Sequence, residues 1–185
     1  MVLTDREIWL AISTGQIRVE PKPTEDILSS TALDLTLGNQ IRTWKTGTPG
    51  VDAAVCPSTP GYNFNTFVKE ATHLVTINEA DGFTIKPKEF ILAWTHERVE
   101  LPYTSRIAAR VEGKSSLARL GVGIHVTAPT IHAGFEGNIQ LEVWNHGSWK
   151  VKLTPGMRIC QLIFEQTTGT PNAGYRGQFQ NQTGG

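Results

Sequence analysis

The amino-acid sequence predicts a mainly β domain, a sandwich, barrel or jelly roll, opened by one short helix. Two observations carry this. From residue 66 onward, short runs of β-type residues recur at close spacing with turn residues between them. Helical periodicity, by contrast, is confined to the N-terminus and to a turn or two near residue 117. In chain order, Thr4 and Glu7 have the spacing of a capping box, and Ile8, Trp9 and Ile12 form an apolar stripe that Gly15 ends. After Pro21, Leu33, Leu35 and Leu37 alternate with Asp34 and Thr36 up to Gly38, a half-buried strand closed by a turn. Residues 46–65, rich in Gly, Pro, Thr and Asn, read as a long surface loop. Strands are then expected at 73–77, 83–85, 90–95, 107–111, 123–126, 139–144, 149–153 and 158–164. Residues 167–185 hold five glycines and little apolar content, so this tail builds no core and is ordered only by a ligand or a neighbour. The expected division is a single β domain over 1–166 and a flexible C-terminal segment over 167–185.

Charge narrows the function. The 185 residues carry 17 Lys plus Arg and 17 Asp plus Glu, a formal net charge of zero. Such a chain has no broad attraction for nucleic acid or an anionic membrane, so phosphate binding must come from a few local cations and backbone amides. Cys56 and Cys160 lack metal-type spacing and suit a reduced protein better than a disulfide scaffold. The first residues lack a secretory pattern, and no apolar run approaches the roughly 20 residues that span a bilayer. The expected location is the cytoplasm.

Three segments could carry chemistry. In Glu112 to Gly121, Lys114, Ser115, Ser116 and Arg119 put hydroxyls, amides and two cations within eight residues, a turn able to surround phosphate oxygens. The plainer reading is a serine-capped helix start with solvated cations. The first glycine of a Walker A loop is missing. In His125 to Gly137, Gly134 and Gly137 let a base or sugar approach the backbone, or simply turn a hairpin. In Ile139 to Asn145, alternation sets Gln140, Glu142 and Trp144 on one face. A lone strand carboxylate is usually solvated; positioned against water it is a general base. Zinc chemistry of the nucleobase-deaminase kind needs His-x-Glu and Cys-x-x-Cys, and the sequence has neither, so no zinc is expected.

Together these segments resemble the dCTP deaminase family of the dUTPase-like superfamily. The family pattern Gly-Arg-Ser-Ser-x-x-Arg-Leu-Gly is matched by Gly113 to Gly121, and His-Val-Thr-Ala by His125 to Ala128. Ile-Asp-x-Gly-Phe-x-Gly is matched by Ile131 to Gly137, Leu-Glu by Leu141-Glu142, and Pro-Gly-x-x-Ile-x-Gln-Leu-x-Phe by Pro155 to Phe164. The opening, Ser30 to Gly38, and the tail, Tyr175 to Gly184, are similar as well.

The resemblance implies a distorted jelly-roll barrel of the dUTPase-like type and a homotrimer with active sites between subunits. It also implies hydrolysis of the C–N bond of a cyclic amidine, dCTP going to dUTP and ammonia in pyrimidine deoxynucleotide metabolism. Glu142 then corresponds to the base that activates water, Ser115 and the Ala128 backbone to the groups holding that water, and Arg119 to the residue orienting the glutamate. Lys114, Ser115 and Ser116 would meet the triphosphate, whose oxygens carry Mg2+ so that no protein metal site is required. Val126 and Thr127 would frame base and sugar, with His132, Gly134 and Gln140 along the same pocket. Tyr175, Gln178 and Gln182 would close over the phosphates as the 167–185 lid folds down, and dTTP would inhibit.

Three residues depart from the family pattern. Lys114 stands for an arginine, Gln178 for a lysine, and His132 for the aspartate implicated in attack on the phosphate chain in dUTPases. The last ranks deamination above triphosphate hydrolysis. The alternatives are a dUTPase or bifunctional enzyme forming dUMP and pyrophosphate, an enzyme for a modified cytosine nucleotide, and a non-catalytic nucleotide sensor.

Overall fold

The computed structural model describes residues 1–45 and 54–177 together with Phe179, Asn181 and Thr183. Its helices are α1 (Asp5–Ser13), α2 (Phe64–Ala71) and α3 (Ser115–Ala118). Its strands are β1 (Arg18–Glu20), β2 (Leu28–Ser29), β3 (Ala32–Trp44), β4 (Thr72–Thr76), β5 (Phe83–Ile85) and β6 (Phe90–Glu100), followed by β7 (Ile107–Gly113), β8 (Val122–Ile124), β9 (Glu136–Asn145), β10 (Val151–Leu153) and β11 (Arg158–Gln166). The main sheet runs β7-β11-β3-β6-β9-β8, with β1 added to β6 and both β2 and β4 to β3, while β5 pairs with β10. Its two ends return toward each other: Ile131, just beyond β8, bridges Ala109 of β7. The sheet therefore nearly closes into a barrel, which removes most exposed edges. The mainly β expectation holds.

Alternation fills the barrel. Leu33, Leu35, Leu37, Ile41, Ile91, Ala93, Leu141, Val143, Leu162 and Phe164 are all fully buried. At the N-terminus Thr4 N donates to Glu7 Oε2 at 3.0 Å, closing the capping box read from the sequence. Ile8 and Ala11 form the buried stripe of α1, with Ile12 packed beside them; Trp9 is only half-buried and lies under Lys22.

Three expectations are corrected. Gly38 does not end a strand but lies inside β3, where a Cβ would sit 3.0 Å from the Trp94 carbonyl oxygen. Backbone approach, not a turn, requires glycine there. The strand from Phe90 runs on to Glu100 through a register shift between Trp94 and Arg98, and the buried Glu97 accepts bonds from Thr36 N (2.8 Å) and Oγ1 (2.6 Å). The end of the anticipated 46–65 loop belongs to α2, whose cap is Asn63 Oδ1 accepting from Thr66 N at 3.0 Å. No described helix is long and apolar enough to cross a membrane.

Candidate active site

β9 pairs with β6 on one side and β8 on the other, and its alternation sends Leu141 and Val143 into the core while Gln140 and Glu142 face outward. Above that outer face lies a pocket of about 220 Å³. Gln140 and Glu142 share its lining with His125, Ala128, His132 and Tyr175, among apolar walls that include Ile131 and Phe135. Among the described residues no lysine or arginine lines it.

His125 is the contact that the sequence did not reveal. The chain leaves β8 through a left-handed backbone at His125 (φ 63°), anchored by its amide donating to the Glu142 carbonyl at 2.8 Å. That bend turns the imidazole back over β9, where Nδ1 lies 3.3 Å from Glu142 Oε2. The pair is within electrostatic reach but not aligned as a hydrogen bond. Both ring nitrogens and Glu142 Oε2 are buried with no hydrogen-bond partner among the described residues. Buried polar atoms in this state leave donor and acceptor capacity for a ligand. A non-glycine residue at positive φ is an uncommon conformation, and sequence spacing gives no sign of it.

The tail forms the pocket's outer wall. Tyr175 N donates to the Ala133 carbonyl at 3.0 Å, and its ring stacks on His132 at 5.6 Å and tilts against Phe135 at 6.5 Å. Farther on, Asn181 N donates to Glu136 O at 2.6 Å, and Phe179 meets Phe64 of α2 edge-on at 5.8 Å. Gly134 (φ 93°) accommodates this backbone: a Cβ there would lie 2.5 Å from Tyr175 N. The close approach expected for a base or sugar at Gly134 is thus taken by the chain's own tail, and Gly137 is part of β9 rather than a hairpin turn. Gln178 and Gln182 lie outside the described residues.

The other predicted residues lie apart from this pocket. Val126 and Thr127 are exposed and do not line it. Neither does the 114–119 turn. The backbone of Lys114, not a serine hydroxyl, stands at the N-cap of α3, and Ser115, Ser116 and Arg119 are exposed. Lys114 is half-buried rather than merely solvated: its Nζ donates to Asp34 Oδ1 at 2.5 Å. One chain therefore lines a pocket with a carboxylate and, among the described residues, no lysine or arginine in one place, and displays a cation and hydroxyls in another. Among the described residues no group of three or more His, Cys, Asp or Glu side chains converges to hold a metal ion.

Comparison with known proteins supplies the family. A family model described as dCTP deaminase-like matches residues 2–167. The chain is 39% identical over 175 residues to a dUMP-forming dCTP deaminase of Methanosphaera stadtmanae, covering 94% of this chain and 83% of that protein. It is 40% identical over 185 residues to a dUMP-forming dCTP deaminase of a Sulfurihydrogenibium species, covering 100% and 94%, and 38% identical over 165 residues to a dCTP deaminase of Rhodospirillum rubrum, covering 89% and 82%. The fold is similar to the crystal structure of 2'-deoxycytidine 5'-triphosphate deaminase from Agrobacterium tumefaciens, with a TM-score of 0.67 at 22% identity over 89% of this chain and 47% of that one. With a family model spanning nearly its whole length and close relatives matched over most of theirs, the chain belongs to the dCTP deaminase-like family.

Proposed function

We propose that this chain deaminates dCTP hydrolytically to dUTP and ammonia, in a homotrimer whose sites form between subunits, with Glu142 as general base. The observation that carries the reading is the pocket itself. It presents one carboxylate at 3.3 Å from an imidazole, and none of its described lining residues is a lysine or arginine. A triphosphate needs such charge, and the exposed 114–119 turn of an adjoining copy would bring Arg119, Ser115 and Ser116 to it. Mg2+ arrives on the phosphate oxygens as part of the substrate.

Glu142 takes a proton from water held by the Ala128 carbonyl and the neighbour's Ser115. The hydroxide so formed adds at C4 of the cytosine, giving a tetrahedral centre. Glu142 gives that proton to ring N3, then takes the second proton from the new C4 hydroxyl and passes it to the amino group. The C4–N bond breaks, ammonia leaves and the carbonyl of uracil forms. Apolar walls and the docked tail keep bulk water out, and Arg119 steadies the carboxylate between transfers. His125, beside it in the pocket lining, orients Glu142.

A second reading, onward hydrolysis of dUTP to dUMP and pyrophosphate, is favoured by the names of two of the relatives above. His132 weighs against it, since its ring stacks on Tyr175 and supplies no carboxylate to water. One incubation separates them: purified protein with dCTP and Mg2+, products resolved by chromatography. Ammonia with dUTP supports deamination alone, pyrophosphate with dUMP supports the bifunctional reading, and tight nucleotide binding without turnover would replace both with a sensor.

A further inference from the structure

Asp34 of β3 is a buried carboxylate facing two cations. Its side chain is 7% exposed; Lys114 Nζ lies 2.5 Å from Oδ1, and Arg158 Nη1 stands 3.6 Å from Oδ2. The three residues reach one another across neighbouring strands, because β11 lies between β7, which leads into Lys114, and β3. A bulge between Arg158 and Cys160 explains the position of the arginine. Ile159 and Cys160 are buried in succession, so Arg158 is thrown off the core face, half-exposed, with Nη2 bonded to Asp26 at 3.0 Å.

Lys114 adjoins Ser115 and Ser116 yet spends its charge on Asp34. If Asp34 had no other partner, Lys114 could not leave it without stranding a buried charge, which is strongly unfavourable. Arg158 is already within a small rotation of taking its place, and a guanidinium satisfies a carboxylate at least as well as an ammonium.

We propose that Arg158 is a positioning residue that takes over Asp34 when Lys114 is transferred to the phosphates of a bound nucleotide. This rests on the reading of the 114–119 turn as the triphosphate site. It explains how a lysine already committed to a buried ion pair can still serve that site, and it assigns phosphate affinity to a residue outside the pocket.

The test measures dCTP–Mg2+ affinity by calorimetry, and ammonia release separately, for the wild-type protein, R158Q, D34N/R158Q, K114Q and K114Q/R158Q. R158Q is expected to weaken binding about tenfold, within the usual range of coupling between sites, with kcat at saturation nearly unchanged. D34N/R158Q is expected to recover the affinity, because no carboxylate remains to hold Lys114. K114Q is expected to bind weakly and to be indifferent to R158Q. Unchanged affinity in R158Q overturns the proposal, and so does a loss that D34N fails to recover. Wild-type protein that binds dCTP but releases no ammonia would sink the deaminase reading and leave the affinity comparison intact.

Discussion

Glu142 and Arg119 stand in neighbouring motifs, and they differ in what surrounds them. Glu142 is 29% exposed and lines a half-open pocket together with His125, with Tyr175 and Phe179 of the tail along another side. Arg119 follows a four-residue helix on the surface, exposed and without a carboxylate partner among the described residues. The first region has shape and a carboxylate but no lysine or arginine among its described lining residues; the second has charge and hydroxyls but no pocket. On the proposed reading the two regions complement each other when brought together from two copies, since a preorganised carboxylate gains most from a cation held in a space from which water is excluded.

The comparison can be broken most sharply at Glu142. Glu142→Gln keeps the size of the side chain and removes the base, so kcat should fall about 10³-fold while dCTP affinity measured by calorimetry is retained. A rate near that of the wild type would leave the pocket without its assigned chemistry. His125 sharpens the same side. Asparagine tolerates left-handed backbone, so His125→Asn should preserve the bend after β8 and lose the imidazole. Steady-state kinetics should show kcat down about tenfold, ~1.4 kcal/mol in the barrier, with KM little changed. A rise in KM alone would make His125 a substrate contact instead.

The smallest effect lies outside both regions and serves as their control. The Thr4 hydroxyl and amide hold the Glu7 carboxyl below its ordinary value. A depressed carboxyl contributes stability above the ordinary carboxylate range and loses it as pH falls through the folded value. Glu7→Gln should therefore flatten the acid side of a Tm-against-pH curve slightly and leave turnover at neutral pH unaltered.

What could be read from the sequence follows from how locally each feature is determined. Alternation at Ile139 to Trp144 gives the facing of Glu142 directly, because a period of two leaves one choice of face. The capping box of α1 is equally local. The length of β3 is not. Asp34 is buried alongside Leu33 and Leu35, so alternation disappears, and Gly38 looks like punctuation unless one knows that Trp94 lies against it. Helix α2 was hidden in a stretch of Asn, Thr and Phe, where Asn63 was the one signal, a helix cap. His125 sits within the His-Val-Thr-Ala motif, but its place beside Glu142 depends on a positive φ and on a neighbouring strand. The pairing of Lys114 with Asp34 joins residues 80 apart in sequence and could not be inferred from spacing.

Mixing two inactive variants tests the central claim most directly. Glu142→Gln subunits keep an intact 114–119 turn, and Arg119→Gln subunits keep an intact pocket. If each site joins the pocket of one chain to the turn of another, co-assembled trimers contain wild-type sites and release ammonia from dCTP, although neither homotrimer does. If the mixture, refolded together and shown to be co-assembled, stays as inactive as its parents, the two regions act within one chain and the account of a shared site is contradicted.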